Sequence, residues 1–190
     1  MSDQGSSDDG GLDAGDFATF MSQIGAAVRD ETTSNVPCGE CTACCTSSQF
    51  VHIAPDETDA LAHIPAALLF PAPRMPRGHV LLGYDERGRC PMLGDNGCSI
   101  YEHRPRTCRA YDCRIFAATG VVPDKPRIAA QTIRWRFTYA GPEDEAAHSE
   151  LRVNATSGAH DAPSPTALAL QAVTTCKPPT PSRSRPDARP

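Results

Sequence analysis

Eight cysteines in two blocks carry the chemistry this chain can offer. The first block reads Cys38-Gly-Glu-Cys41-Thr-Ala-Cys44-Cys45, and the second holds Cys90, Cys98, Cys108 and Cys113. Two residues between cysteines let a tight turn aim both sulfurs at one ion, at about 2.3 Å for zinc. Three cysteines so spaced, joined by a fourth from elsewhere, also suit an iron–sulfur cubane. Eight thiols are enough for two four-sulfur sites, or for one cluster with ligands to spare. The ninth, Cys176, stands alone in a Pro-rich stretch and reads as a bystander.

Adjacent residues constrain this picture. Cys44 and Cys45 point to opposite sides of an extended chain, or diverge by about 100° on a helix. The expectation is that they serve different partners, one bridging to a second metal or remaining a redox-active thiol. Cys108 and Cys113 would diverge on a continuous helix, so a helix starting near Pro105 must end before Cys113 if both are to reach one site. Eight thiolates holding two divalent ions leave a charge of about −4, which needs hydrogen bonds and cations nearby. Arg104 and Arg109 are the candidates to compensate it. His52, His79 and His103 read as ordinary polar residues, because cysteine supplies ligands enough.

The elements that must position these thiols are short. Phe50, Val51 and Ile53 predict a strand, and Pro55 with Asp56 and Glu57 predicts a helix through Leu61 and Ile64, ended by Pro65. A second strand covers 79–84. Asp95-Asn96-Gly97 is a hairpin signal that folds Cys98 back toward Cys90. Ile133, Trp135, Phe137 and Tyr139 alternate with polar residues, as in a half-buried strand with its aromatic side inward. Ahead of the cysteines, Phe17, Phe20, Met21, Ile24 and Val28 fall at helical spacing, predicting an amphipathic helix over 16–30 capped by Asp13 or Asp16. Residues 1–13 are too polar to bury. The fold class expected is small α+β: an irregular, metal-stapled cysteine-cluster domain over 35–140. It is preceded by a disordered start and helix over 1–34, and followed by a mostly disordered tail over 141–190 rich in Pro, Ala and Ser. About a hundred ordered residues make a thin core, for which a metal staple makes physical sense.

Composition excludes several classes. The chain has 190 residues and a formal charge of −5, with no basic stripe for nucleic acid. No run approaches the ~18 apolar residues that cross a bilayer. The acidic start has neither the basic residues nor the apolar stretch of an export signal. The expected location is therefore the reducing cytoplasm, where nine cysteines point to metal or thiol chemistry rather than disulfides.

The motifs Cys38-x-x-Cys41-x-x-Cys44-Cys45 and Cys90-x-x-Leu93, Cys98-x-Ile100-Tyr101-Glu102-x-Arg104-Pro105-x-x-Cys108-Arg109-x-Tyr111-x-Cys113 resemble the YkgJ-type cysteine-cluster family. This is the CxxCxxCC zinc- or iron-chelating domain, whose members often carry the label Fe–S-cluster-containing protein. The resemblance spans about residues 36–115. It implies chelation through the eight cysteines. The compact triple spacing and the vicinal pair suit an iron–sulfur cluster better than a tetrahedral zinc finger, so the preferred reading is electron transfer or redox sensing with an unidentified redox or protein partner. The alternatives are a structural zinc module acting through partners, and a protein-modifying enzyme distantly similar to flagellin lysine N-methylases. The last has little support, because no Gly-rich strand-to-helix turn suggests a pocket for S-adenosylmethionine. No catalytic set stands out.

Overall fold

The computed structural model describes residues 10–28, 36, 41–157 and 162–176, which form two compact units. In chain order the elements begin with β1 (Leu12–Asp16), α1 (Phe17–Val28), β2 (Val51–Ile53) and α2 (Thr58–His63). After these come β3 (Leu69–Pro71), β4 (Val80–Leu82), β5 (Leu93–Gly94), β6 (Gly97–Cys98) and α3 (Arg106–Ala110). The chain continues through α4 (Arg114–Thr119), α5 (Pro126–Thr132), β7 (Trp135–Thr138), α6 (Pro142–Ser157) and α7 (Pro165–Thr175). Mixed small sheets and helices agree with the α+β expectation at that level. Among the described residues, no helix is long and apolar enough to cross a membrane.

One unit comprises residues 10–25, 114–122 and 132 onward. Phe17, Phe20, Met21 and Ile24 are buried as the helical stripe predicts. Asp16 caps α1, its Oδ1 accepting from the Thr19 amide at 2.8 Å. Leu12 and Asp13 are not unstructured: β1 pairs in parallel with β7, Leu12 opposite Trp135. Residues 12–16 carry little apolar pattern, so only the partner strand marks them as β. Trp135 is buried as predicted, whereas Ile133 is exposed, because β7 begins two residues after it.

The C-terminal stretch also differs from the expected tail. Pro142 and Pro165 each open a helix instead of preventing one, since proline at a first helical position forfeits no intrahelical bond. Ser164 caps α7, accepting from the Ala167 amide at 3.1 Å. Glu143, Asp144 and Glu145 occupy the first turn of α6, where carboxylates favour the positive end of the helix. Asp144, His148, Leu151 and Ala155 then form its narrow buried stripe. The remaining stretch of the expected tail, from residue 177, lies outside the described residues, as do 1–9 and 29–35.

The other unit comprises residues 26–113 and 123–131 and holds the described cysteines of both blocks. Its sheet is antiparallel in the order β2-β4-β3, with Val51 and Leu69 both opposite Leu82. Val51, Ile53, Ile64, Leu82 and Ile100 form its core, and Cys90, Cys98 and Cys108 pack against it. The helix expected from Pro55 starts later, at Thr58, because Glu57 is spent on a turn: its Oε1 accepts from the Ala54 amide at 2.9 Å.

Candidate metal centre

Local sequence sets each thiol in a different kind of element. Cys44 and Cys45 occupy a single 3-10 turn, Cys44–Thr46, closed by the Ser47 hydroxyl donating to the Ala43 carbonyl at 2.6 Å. Cys90 ends the loop that follows β4. There Asp85 Oδ1 accepts from the amides of Arg87 and Arg89 at 2.9 and 2.8 Å, and Gly88 takes the left-handed conformation. Cys98 closes the β5–β6 hairpin, whose Asp95-Asn96 turn has Gly97 at φ 102°. Cys108 sits in α3, which Pro105 opens and which ends at Ala110, before Cys113.

Backbone contacts join the two blocks. The Cys90 amide donates to the Cys45 carbonyl at 2.7 Å, and the Ser48 amide donates to the Gly88 carbonyl at 2.9 Å. A third set of bonds fixes α3. The Thr107 hydroxyl donates to the His52 carbonyl at 2.7 Å, Arg106 Nη2 pairs with Asp56 at 2.9 Å, and Glu57 Oε2 accepts from the Arg106 amide. Glu57 thereby bridges two backbone amides from separate segments, a role that its expected place in a helix did not suggest.

The result is a group of thiols within electrostatic reach of one another. A negative charge on Cys44 acts on Cys45, Cys90 and Cys108, and Cys98 acts on Cys90 and Cys108. The Cys44 and Cys45 sulfurs lie 3.9 Å apart. This corrects the expectation that they diverge: the tight 3-10 turn leaves both side chains free to lean together. A tetrahedral ion with bonds of about 2.3 Å has ligand sulfurs about 3.8 Å apart, so the pair matches one edge of such a site.

The same contact splits the two acidities. Cys44 is lowered to about 7, chiefly by the hydrogen bond from Cys45, with the Arg104 charge assisting and burial opposing. Cys45 is pushed up by that shared proton and then by burial. Burial raises Cys108 to about 12, helped by the neighbouring thiols and countered by Arg104. Cys90 is raised mainly by burial as well. Deprotonating several of these thiols together is therefore costly without a cation to hold them. The donor set fits a thiophilic metal.

The other candidates fall as follows. Cys41 Sγ accepts from the Ala43 amide at 3.5 Å, just ahead of the vicinal pair. Cys113 acts electrostatically on Tyr111, which burial raises and which Cys44 also reaches. Cys38 lies outside the described residues. Arg104 stacks over Tyr101 at 3.6 Å and donates from Nε to the Tyr101 carbonyl at 2.8 Å, while its charge reaches Cys44 and Cys108. The Arg109 charge acts on Asp59, and its Nε is buried with no hydrogen-bond partner among the described residues. Cys176 belongs to the other unit. Sequence reasoning passed over a second cluster, Asp59, His63 and His103, whose only signal is the i,i+4 spacing of Asp59 and His63.

No curated protein and no solved structure matches the chain. A family model, described as "CxxCxxCC: Putative zinc- or iron-chelating domain", matches residues 37–134. That span takes in both cysteine blocks and more than half of the 190 residues. The chain belongs to the CxxCxxCC family of zinc- or iron-chelating domains.

Proposed function

We propose that this chain chelates zinc or iron through a thiolate centre built on Cys44, Cys45, Cys90, Cys98 and Cys108, with Cys38, Cys41 and Cys113 completing the ligand supply. The observation that carries the reading is the 3.9 Å approach of the Cys44 and Cys45 sulfurs beside the thiols of the second block. Cys44 offers a thiolate near neutral pH, and Arg104 offsets part of the charge that accumulates as further thiols ionise. The packing of Cys90, Cys98 and Cys108 against the apolar core keeps water from competing for the metal on that side. Bound metal would contribute folding energy to a unit whose strands are only two or three residues long.

A redox role is the second reading. One tetrahedral ion uses four thiolates, whereas the two motif blocks contain eight cysteines, and the surplus favours an iron–sulfur centre that transfers electrons or senses redox state. Such a cluster supplies one-electron chemistry when bound. Arg104 and the apolar packing would then tune its potential. Anaerobic purification of the full chain, followed by metal analysis and Mössbauer spectroscopy, separates the readings. Stoichiometric zinc or iron, lost in the Cys44→Ser/Cys45→Ser double variant, is expected. Brown protein bleached by dithionite establishes the redox reading, and colourless protein with stoichiometric zinc removes it. Protein that retains neither metal overturns chelation itself.

A further inference from the structure

Asp59 and His63 stand one turn apart on the same face of α2, and His103 ends the 3-10 turn Tyr101–His103 that meets it. Their ligand atoms all lie within 4.8 Å of one another. His103 Nδ1 is 3.0 and 3.1 Å from the two Asp59 carboxylate oxygens, and His63 Nδ1 is 3.6 Å from Oδ1. Ligand atoms about 2.0–2.2 Å from one ion are separated by about 2.9–3.5 Å, so these spacings are already close to those of a coordination shell.

The two imidazole rings stack at 3.5 Å, only 4° from parallel. Imidazole nitrogen is the commonest side-chain ligand for transition-metal ions, and it binds them through a ring lone pair. The hydrogen bond from His103 is the main influence holding the Asp59 carboxyl below its usual range. One anionic oxygen and two imidazoles make a donor set that hard cations such as Mg²⁺ and Ca²⁺ do not prefer, and that first-row ions of borderline softness do. We propose that Asp59, His63 and His103 form a second metal site, separate in donor chemistry from the thiolate centre, that takes a divalent first-row transition ion.

Stacked rings hold their in-plane lone pairs in separate parallel planes, and one ion cannot lie in both, so binding must swing the rings apart. His63 then gives up the 2.8 Å bond from its Nδ1 to the Asp59 carbonyl. Both histidine side chains are 41% exposed and Asp59 is 64% exposed, which leaves room for that rotation. Three protein ligands leave coordination positions for water, so the ion should exchange readily.

The test is equilibrium dialysis of the tag-free full chain against Co²⁺, with absorption spectra recorded at each step. Thiolate-bound cobalt shows an intense near-ultraviolet sulfur-to-metal band, and cobalt on imidazole and carboxylate does not. His63→Ala/His103→Ala is expected to lose one equivalent of Co²⁺ while the sulfur band keeps its intensity. Asp59→Asn is expected to weaken the same equivalent at least tenfold, and it guards against a histidine variant that merely misfolds. Unchanged stoichiometry and affinity in both variants overturns the site. If the sulfur band is missing from the wild type, the thiolate reading fails, while the difference between wild type and variants still decides this one.

Discussion

The amide of Cys90 donates to the carbonyl of Cys45 at 2.7 Å, binding the two cysteine blocks together through main chain that no thiol substitution removes. The contact uses no ligand atom, so it fixes the register of the two blocks without occupying a thiol. Three residues after Cys45 and two before Cys90, the Ser48 amide donates to the Gly88 carbonyl, and both residues have positive φ.

That second contact is sensitive to a single methyl group. A Cβ on Gly88 would lie 2.3 Å from Ser48 Oγ, and the residue holds φ at 74°. Gly88→Ala is expected to cost about 1–3 kcal/mol in urea unfolding and to weaken metal retention. Adding Ser48→Gly removes both the clashing oxygen and a strained left-handed serine, so the double variant should recover part of the loss. A double variant no better than Gly88→Ala alone contradicts this account.

Glu57 should matter more than an ordinary surface carboxylate. Its two oxygens accept from the amides of Ala54 and Arg106, and it is buried. Glu57→Ala leaves both donors without that acceptor and is expected to cost about 1–3 kcal/mol. Because α3 carries Cys108, a competition titration with a chromophoric chelator should also show weaker metal binding. Undiminished affinity would mean that α3 is held by the Thr107 and Arg106 side-chain contacts alone.

Metal removal should unfold the cysteine-bearing unit before the other. A ligand at a thousandfold excess over its Kd stabilises the state that binds it by about 4 kcal/mol. Stripping the metal anaerobically under reducing conditions should therefore lower the urea midpoint of this unit. Near-ultraviolet signals from Trp135, which belongs to the other unit, should change less.

His148 is expected to make the other unit sensitive to acid. Burial lowers its pKa from the usual 6.5, against opposing contributions from the peptide groups of Ala117 and Ala118. Its ring stacks on Phe17 at 4.4 Å, and Nδ1 is hydrogen-bonded to the Tyr139 hydroxyl at 2.7 Å. The folded state thus binds the proton more weakly than the unfolded chain does. Stability should be full above about pH 6.5 and fall as the pH drops below that value. Thermal melts from pH 7.5 to 5 should show the decline, and His148→Phe should flatten it. An unchanged profile in the variant would assign the acid sensitivity to other groups.

Leu151 tests whether α6 belongs to a packed unit. It is fully buried, and Leu151→Ala is expected to cost about 2–5 kcal/mol. A cost near zero in urea unfolding would return residues 142–157 to the solvated tail that their charge content suggests.

Much of this protein was readable in one dimension, where the governing interactions are local. Cysteine spacing identified the chemistry, Asp95-Asn96-Gly97 the hairpin, Asp16 and its apolar stripe the first helix, and Pro105 the short helix that carries Cys108. These depend on turn preferences, capping and periodicity within a few residues. The strand at Leu12–Asp16 was invisible because its only justification is hydrogen bonding to Trp135–Thr138, more than a hundred residues away. The helices at Pro142 and Pro165 were concealed for another reason: proline ends a helix from inside and begins one from its first turn, and the residues around it decide which. Only three dimensions brought the Cys44 and Cys45 sulfurs to 3.9 Å, gathered Asp59, His63 and His103, and joined Glu57 to the distant Arg106 amide. Side-chain rotation and long-range closure govern those distances, and neither leaves a periodic trace along the chain.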